Sequence, residues 1–403
     1  MRETLLLRTA SLSGGTAIYM AGQLVLLILI ARLGSPSLVG AYALVTAILN
    51  PLFLLARMGL KSAIATEQDG GSSYPTYRNL QYVLCAASVF ITLAIVAVFL
   101  REPLVIYVTG VVFFAKLFET LSDLHYGLLI KSEMQHTVSK SLAIRSLAIT
   151  VLYFLASLLT DAETAMMILP FSWCAVFFLD DQRKTRDLRA LEGKTTSSEV
   201  VSLFYLVFPL ALAGFFGQLS LSVPRYIIGV GDGAEVLGQV APALMAHVFV
   251  SSFADSIAQS ILPTVSRRIA EGRNADAWRL LLKIAAMLLP LTLGVIALMF
   301  AVGPWIVEFV FGEGYGLAGA LIGVVSVSWT LRAYGMLFGS AVLGARDFGD
   351  MFRVNLISLV AYTACSYGLG TVAGVDGVVW GIALGSLCYF VLLYLTARKR
   401  LLG

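Results

Sequence analysis

The chain has 403 residues, of which 59% are hydrophobic and only 13% are charged, and its formal net charge is +4. Soluble domains average about 45–50% apolar and about 25% charged residues, whereas the mean hydropathy here is +0.87. This composition excludes a soluble enzyme, a nucleic-acid-binding protein and a disordered protein. It predicts an all-α polytopic membrane protein, because a span needs about 20 apolar residues and must satisfy its own backbone hydrogen bonds.

Apolar runs separated by charged segments predict twelve transmembrane helices. In chain order the predicted spans are residues 11–32, 36–56, 79–100, 103–130, 140–160, 162–180, 201–230, 236–262, 282–302, 315–344, 353–372 and 375–397. The longest polar segment follows the sixth span, so the sequence predicts an N-terminal six-helix lobe (1–180), a cytoplasmic linker (181–200) and a C-terminal six-helix lobe (201–403). Two lobes with the same orientation suit a transporter that rocks around a central cavity.

The basic residues are strongly segregated along this pattern. If both termini are cytoplasmic, 22 of the 28 Lys and Arg residues fall on the cytoplasmic side, two (Arg32 and Arg101) fall on the outer side and four lie within spans. Because cytoplasmic loops of membrane proteins carry the excess of Lys and Arg, this count predicts twelve spans with both ends inside. The four cysteines have no paired spacing, so neither a metal site nor a disulfide framework is predicted.

Three stretches carry a family resemblance. Residues 31–67 read ARLGSPSLVGAYALVTAILNPLFLLARMGLKSAIATE, residues 261–266 read ILPTVS, and residues 309–322 read FVFGEGYGLAGALI. They resemble the polysaccharide-transport branch of the multidrug/oligosaccharidyl-lipid/polysaccharide exporter superfamily. The resemblance implies a flippase for lipid-linked oligosaccharides of the O-antigen (lipopolysaccharide) or exopolysaccharide type in the bacterial cytoplasmic (inner) membrane. The expected partners are the polyprenyl-diphosphate-linked substrate, the bilayer, a polysaccharide polymerase and other assembly proteins; no cofactor is expected.

Charged residues within spans are costly, by about 2.5–3.5 kcal/mol each on insertion scales, and usually face a cavity or a partner. The fourth predicted span carries Lys116, Glu119 and Asp123 within an arc of about 60°. One interpretation is a cavity wall, with a cation for the diphosphate and acids for ion coupling. The alternative is an internal ion pair that neutralises itself.

The corresponding span of the second half, the tenth, carries Arg332 near its middle. Lys116 and Arg332 are therefore predicted to form a pseudo-symmetric pair that holds the diphosphate in one cavity, because arginine suits bidentate phosphate binding. A salt bridge from Arg332 to Asp255 or Asp123 is the alternative. Arg145 and Arg225 are further candidates for substrate binding, although both could instead snorkel to a membrane interface.

Polar side chains also recur at helical spacing in spans 1, 2, 7 and 8, and we expect these stripes to line the cavity or to bond between helices. The predicted lining residues are Gln23, Tyr42, Thr46, Asn50, Gln218, Ser222, Ser251 and Gln259. The eighth span adds His247 and Asp255 to its stripe, and Asp255 is the better candidate for coupling to an ion. A histidine of this kind is more often a packing residue.

Three functions follow from these residues, and alternating-access flipping of a lipid-linked oligosaccharide is the first. A multidrug or organic-cation antiporter of the same superfamily is the alternative, but the predicted spans hold four basic and three acidic residues, whereas such a cavity should be acidic. A membrane glycan polymerase or ligase would need a large outer loop with catalytic side chains, and only short outer turns are predicted. The protein is therefore not expected to be an enzyme.

Overall fold

The computed structural model describes residues 2–65, 73–189, 195–345 and 347–402. All regular structure in this described part is helical, as the composition predicts. Residues 190–194 of the predicted linker lie outside the described ranges. The helices are α1 (Arg2–Leu33), α2 (Pro36–Arg57), α3 (Leu60–Ala65), α4 (Tyr74–Phe99), α5 (Pro103–Lys131), α6 (Gln135–Leu159), α7 (Ala162–Ala165), α8 (Ile168–Val176), α9 (Gln182–Lys184), α10 (Arg186–Arg189), α11 (Ser197–Gly231), α12 (Gly233–Ala270), α13 (Asn274–Phe311), α14 (Gly316–Gly344) and α15 (Phe348–Leu402).

Ten helical segments of the described chain are long and apolar enough to cross a membrane, and there are eleven if the two arms of α11 count as one bent span. Those arms, Ser197–Pro209 and Gly214–Gly231, meet at an angle of 55°. The last helix, α15, has 55 residues but non-helical backbone angles at Ala373 and Gly374. Division of α15 at that break would give the twelve spans that the sequence predicts; the count of twelve remains a prediction.

The contacts divide the chain into two compact units, Met1–Phe215 and Phe216–Gly403. This boundary lies within α11, later than the predicted linker. The reason is that Leu203, Val207 and Ala211 of the first arm of α11 pack into an apolar cluster with Tyr77 and Leu128 of the first unit. The predicted lobes, 1–180 and 201–403, remain a proposal.

In the first unit, α2 and α3 pack against α5, and α1 packs against α6. Local signals set the ends of α2: the Ser35 side chain accepts a hydrogen bond from the Leu38 N–H (3.2 Å), with Pro36 at the first position. The helix ends where Met58 and Gly59 take positive φ values of 43° and 68°. After this left-handed turn α3 begins at Leu60, and both α2 and α3 pack against α5.

In the second unit, α14 is the central helix, with α12, α13 and α15 packed around it. Its small and apolar residues are buried along most of its length. The helix α13 has an apolar window without a buried residue, as expected for a helix that faces lipid. The arms of α15 fold back on each other: the hydroxyls of Tyr362 and Ser386 lie 2.6 Å apart, and a Cβ at Gly381 would meet the Ser366 Cα at 2.3 Å.

Candidate functional site

Five charged side chains gather where α2 and α3 meet the middle of α5. We call Arg57, Lys61, Lys116, Glu119 and Asp123 the α5 charged cluster. Glu119 accepts ion pairs from Arg57 and Lys116, each at 2.8 Å, and Asp123 pairs with Arg57 at 3.6 Å and with Lys61 at 3.5 Å. The cluster thus holds three cations and two anions.

The three α5 residues share one face of the helix, as the sequence predicts, and the alternative of an internal ion pair is realised for Lys116 and Glu119. Both Arg57 and Lys61 follow the second predicted span and are among the 22 basic residues predicted on the cytoplasmic side, but the turn at Met58 and Gly59 brings both against α5. A signal for Arg57 was present, since it lies seven residues after Asn50 and continues the polar stripe of Tyr42, Thr46 and Asn50.

A small cavity next to this cluster lies inside the first unit. Residues from five helices line it: Tyr19, Gln23, Leu26, Tyr42, Val112, Ala115, Lys116, Glu119, Ile149, Leu169 and Trp173. The Tyr19 hydroxyl donates to Glu119 at 3.3 Å, and the Tyr19 ring meets Trp173 edge-on at 6.1 Å. Two residues of the predicted stripes, Gln23 and Tyr42, therefore meet the predicted substrate-binding residue Lys116 at one cavity.

Arg145 lies in a buried polar network next to Trp173, one of the residues that line this cavity. Its side chain is fully buried, pairs with Asp181, and donates to the Ser122 hydroxyl at 3.0 Å. Its guanidinium carbon lies 4.0 Å from the centre of the Trp173 ring. Arg145 does not snorkel to an interface, because Asp181 of the predicted linker lies in the π-helical turn Phe177–Asp181 and pairs with Arg145 in the interior.

Three of the predicted polar side chains are buried in the second unit: His247 and Ser251 of α12 and Arg332 of α14. They are 3%, 0% and 4% exposed. The Arg332 Nη2 donates to the Gly217 carbonyl at 3.3 Å, and its guanidinium lies 4.7 Å from the Tyr389 ring centre. Asp255, two turns beyond His247, is exposed and forms no ion pair with Arg332 in the described part of this unit.

The other predicted residues of α11 and α12 divide between buried and exposed positions. Arg225 is 1% exposed and bonds Ser222 at 3.4 Å, so it does not reach an interface by snorkelling. Ser222 donates to the Gln218 carbonyl at 3.3 Å, and Gln259 is exposed. The stripe of α12 therefore runs from buried His247 and Ser251 to exposed residues, as expected where a span reaches a polar surface.

The model of the family described as polysaccharide biosynthesis protein matches residues 29–319, which is more than half of the chain. The chain belongs to the polysaccharide biosynthesis protein family. A curated relative, the capsular polysaccharide biosynthesis protein CapF of Staphylococcus aureus, is 24% identical over 358 residues, covering 86% of this chain and 87% of CapF. The predicted membership in the polysaccharide branch of the superfamily is confirmed.

Two solved transporter structures share the fold of this family member. The lipid II flippase MurJ in an inward closed conformation superposes with a TM-score of 0.75 at 14% identity, over 97% of this chain and 89% of MurJ. An inward-facing multidrug resistance MATE transporter of the MOP superfamily gives 0.74 at 16% identity, over 98% of each chain. At these identities the likeness establishes the fold, and it is shared by a flippase and by drug transporters.

Proposed function

We propose that this family member is a flippase that moves polyprenyl-diphosphate-linked oligosaccharide from the cytoplasmic to the outer leaflet of the bacterial cytoplasmic membrane. Both termini would be cytoplasmic, and two helical lobes would alternate access around a central cavity. The family match and the MurJ-like fold support a role in lipid-linked glycan transport. A polysaccharide polymerase and other assembly proteins would act on the product.

The observation that carries the proposal is the surplus of cations within the spans. The α5 charged cluster has three cations for two anions, and the second unit buries the guanidinium group of Arg332. Uncompensated charge in a span is costly unless a partner or a polar cargo offsets it. An anionic diphosphate offsets such a surplus, whereas an organic cation would add to it.

The structure refines which side chains are candidates for the headgroup. The three cations of the α5 charged cluster share two carboxylates, which leaves one positive charge in excess, and the side chains of Arg57 and Lys61 are 27% and 36% exposed. We propose that these two join Lys116 and Arg332 as diphosphate contacts. Arg145 is set aside because Asp181 already neutralises it. Glu119, Asp123 and Asp255 remain candidates for partly neutralising the positive charge of the cavity or for binding a coupling cation.

The test is transport by the purified protein in liposomes, with a fluorescent polyprenyl-diphosphate oligosaccharide in one leaflet, together with rescue of surface glycan in a deletion strain. Lys116→Ala combined with Arg332→Ala should abolish both at wild-type expression. Lys184→Ala, which breaks a partly exposed pair with Asp180, is the matched control and should leave both unchanged. Normal surface glycan in the double variant would contradict the phosphate assignment.

The second candidate is a multidrug or organic-cation antiporter, favoured by the MATE-like fold. This function predicts export of cationic dyes that depends on a Na⁺ or proton gradient. Dye efflux from cells that express the protein, without rescue of surface glycan in the deletion strain, would select it over the flippase.

A further inference from the structure

A narrow apolar groove runs along the second unit between α13, α14 and α15. On α13 its wall extends over residues 282–296, which span about 21 Å at the helical rise of about 1.5 Å per residue. The volume of the groove is about 500 Å³. Two leucines of its wall, Leu289 and Leu293, are 48% and 55% exposed, so the groove opens toward the lipid that surrounds a membrane helix.

The shape and the chemistry of this groove suit one hydrocarbon chain. The hydroxyls of Thr292 and Tyr334 in its wall lie 3.1 Å apart, and each has a backbone carbonyl of α13 within bonding distance, at 3.0 Å and 3.3 Å. These groups therefore need no polar ligand. A volume of about 500 Å³ over about 21 Å leaves a cross-section of about 24 Å². That is about a quarter of the cross-section of an α-helix about 10–12 Å across, so a helix of a partner does not fit.

Two arginines stand at one end of the groove. The Tyr394 ring of the groove wall on α15 lies 5.3 Å from the ring of Trp278 on α13, so the end of α15 is beside the beginning of α13. Arg279 follows Trp278 and lies within about 20° of the groove residue Ala286 around the axis of α13. Arg398 is four residues beyond Tyr394 and continues the groove face of α15.

These two arginines are not neutralised by carboxylates of the protein. Arg279 and Arg398 are exposed, and neither forms an ion pair within the described ranges of the chain. Arg400, in contrast, pairs with two aspartates near the start of α15. Lys283 and Lys399 add two more positive charges next to the arginines. Basic residues that lie together at a membrane surface attract anionic lipid headgroups.

A second apolar groove, in the first unit, has the opposite charge at its end. It lies between α5 and α8 and has a volume of about 470 Å³. Tyr107 of its wall donates a hydrogen bond to the Glu163 carbonyl at 3.0 Å. The turns at that end carry Glu102, Asp161 and Glu163 against the single base Arg101. An apolar groove that ends at a cluster of cations therefore distinguishes the second unit from the first.

We propose that the groove between α13, α14 and α15 binds one anionic phospholipid, with an acyl chain along the groove and the phosphate group at Arg279 and Arg398. The length of about 21 Å compares with about 15 Å for one leaflet of a hydrocarbon core about 30 Å thick, so the groove accommodates a chain of a single leaflet. The bound lipid ties α13 to the end of α15. The site shares no residue with the proposed diphosphate contacts and does not depend on the cargo.

The experiment measures lipid binding to the full chain, purified in detergent, by native mass spectrometry with anionic phosphatidylglycerol and zwitterionic phosphatidylcholine. One basic residue near a headgroup is worth about a factor of five in affinity. The wild type should therefore bind one phosphatidylglycerol about thirtyfold more tightly than phosphatidylcholine. Arg279→Gln combined with Arg398→Gln should remove this preference and leave the phosphatidylcholine affinity unchanged. The control, Arg183→Gln with Arg186→Gln, removes the same charge from exposed positions of the first unit and should keep it.

A second pair of variants tests the acyl chain. Ala286→Phe fills the groove and should weaken the binding of both lipids at least tenfold. Ala364→Phe, the same change at an exposed position of α15 that does not line the groove, should weaken neither. The proposal is overturned if the wild type binds the two lipids equally, or if the variants of either pair have equal effects. Displacement of phosphatidylglycerol by an equal concentration of polyprenyl diphosphate would also overturn it and assign the groove to the tail of the cargo.

Discussion

The buried ion pair of Arg145 and Asp181 allows a test of how much buried charge pairing stabilises the first unit. The residue before Asp181, Asp180, provides the control. Asp181→Asn keeps the size of the side chain and removes its charge. Arg145 would then be a fully buried guanidinium without a counter-ion, retaining Ser122 and the face of Trp173. Asp180, the preceding residue of the same π-helical turn, pairs instead with Lys184, and these side chains are 26% and 34% exposed.

The expected magnitudes differ severalfold. Removal of one partner of a buried ion pair costs about 3–5 kcal/mol. The single asparagine oxygen can still accept from one of the two donors, Ser141 or Arg145, so we expect a loss of about 3 kcal/mol for Asp181→Asn. A partly exposed pair contributes about 0–1 kcal/mol, which is the expectation for Asp180→Asn. For a unit of this size 1 kcal/mol corresponds to about 2–4 °C, so Asp181→Asn should lower the unfolding temperature by about 6–12 °C.

The assay is thermal unfolding of the purified variants in one detergent, followed by tryptophan fluorescence. A third variant, Arg145→Met with Asp181→Asn, removes both charges and should recover at least half of the loss, because apolar or neutral replacements of a buried pair are often well tolerated. Equal unfolding temperatures for Asp180→Asn and Asp181→Asn, or a double variant no more stable than Asp181→Asn, would refute the reasoning.

Two further substitutions probe each unit separately. Arg57→Gln leaves Asp123 paired only with Lys61 and removes one of the two ion pairs of Glu119. We therefore expect a loss of about 1–2 kcal/mol in stability and severalfold slower flipping in liposomes. Unchanged flipping would exclude Arg57 from the proposed headgroup site. Gly381→Ala places a Cβ 2.3 Å from the Ser366 Cα and should sharply lower the yield of folded protein, measured by size-exclusion chromatography. The control is Gly368→Ala, whose Cβ would meet no atom within 4 Å and which should keep the wild-type yield. Equal yields for the two variants would contradict the packing of the two arms of α15.

The sequence predicts the helical fold and the family well because both are recorded locally. Hydropathy and breaks mark the ends of most spans, and Ser35 with Pro36 marks the start of α2 directly. The candidate site is predicted only in part. The shared face of Lys116, Glu119 and Asp123 follows from helical spacing, but their partners on α2 and α3 depend on a turn whose direction no periodicity records.

The partners of buried charges are decided by packing. Arg145 and Asp181 lie 36 residues apart, and a count of charges along the chain assigns one to a span and the other to a loop. Only the packing of α6 against α8 and the π-helical turn makes them a pair.

By itself, then, the amino-acid order determined that this chain is a bundle of apolar helices of the polysaccharide branch, with charges in the middle of its fourth and tenth predicted spans. The tertiary structure decided which of those charges are neutralised and which stay in surplus. The physical reason is range: hydropathy and capping act within a few turns of one helix, whereas the energy of a charge in a membrane depends on side chains that other helices bring next to it.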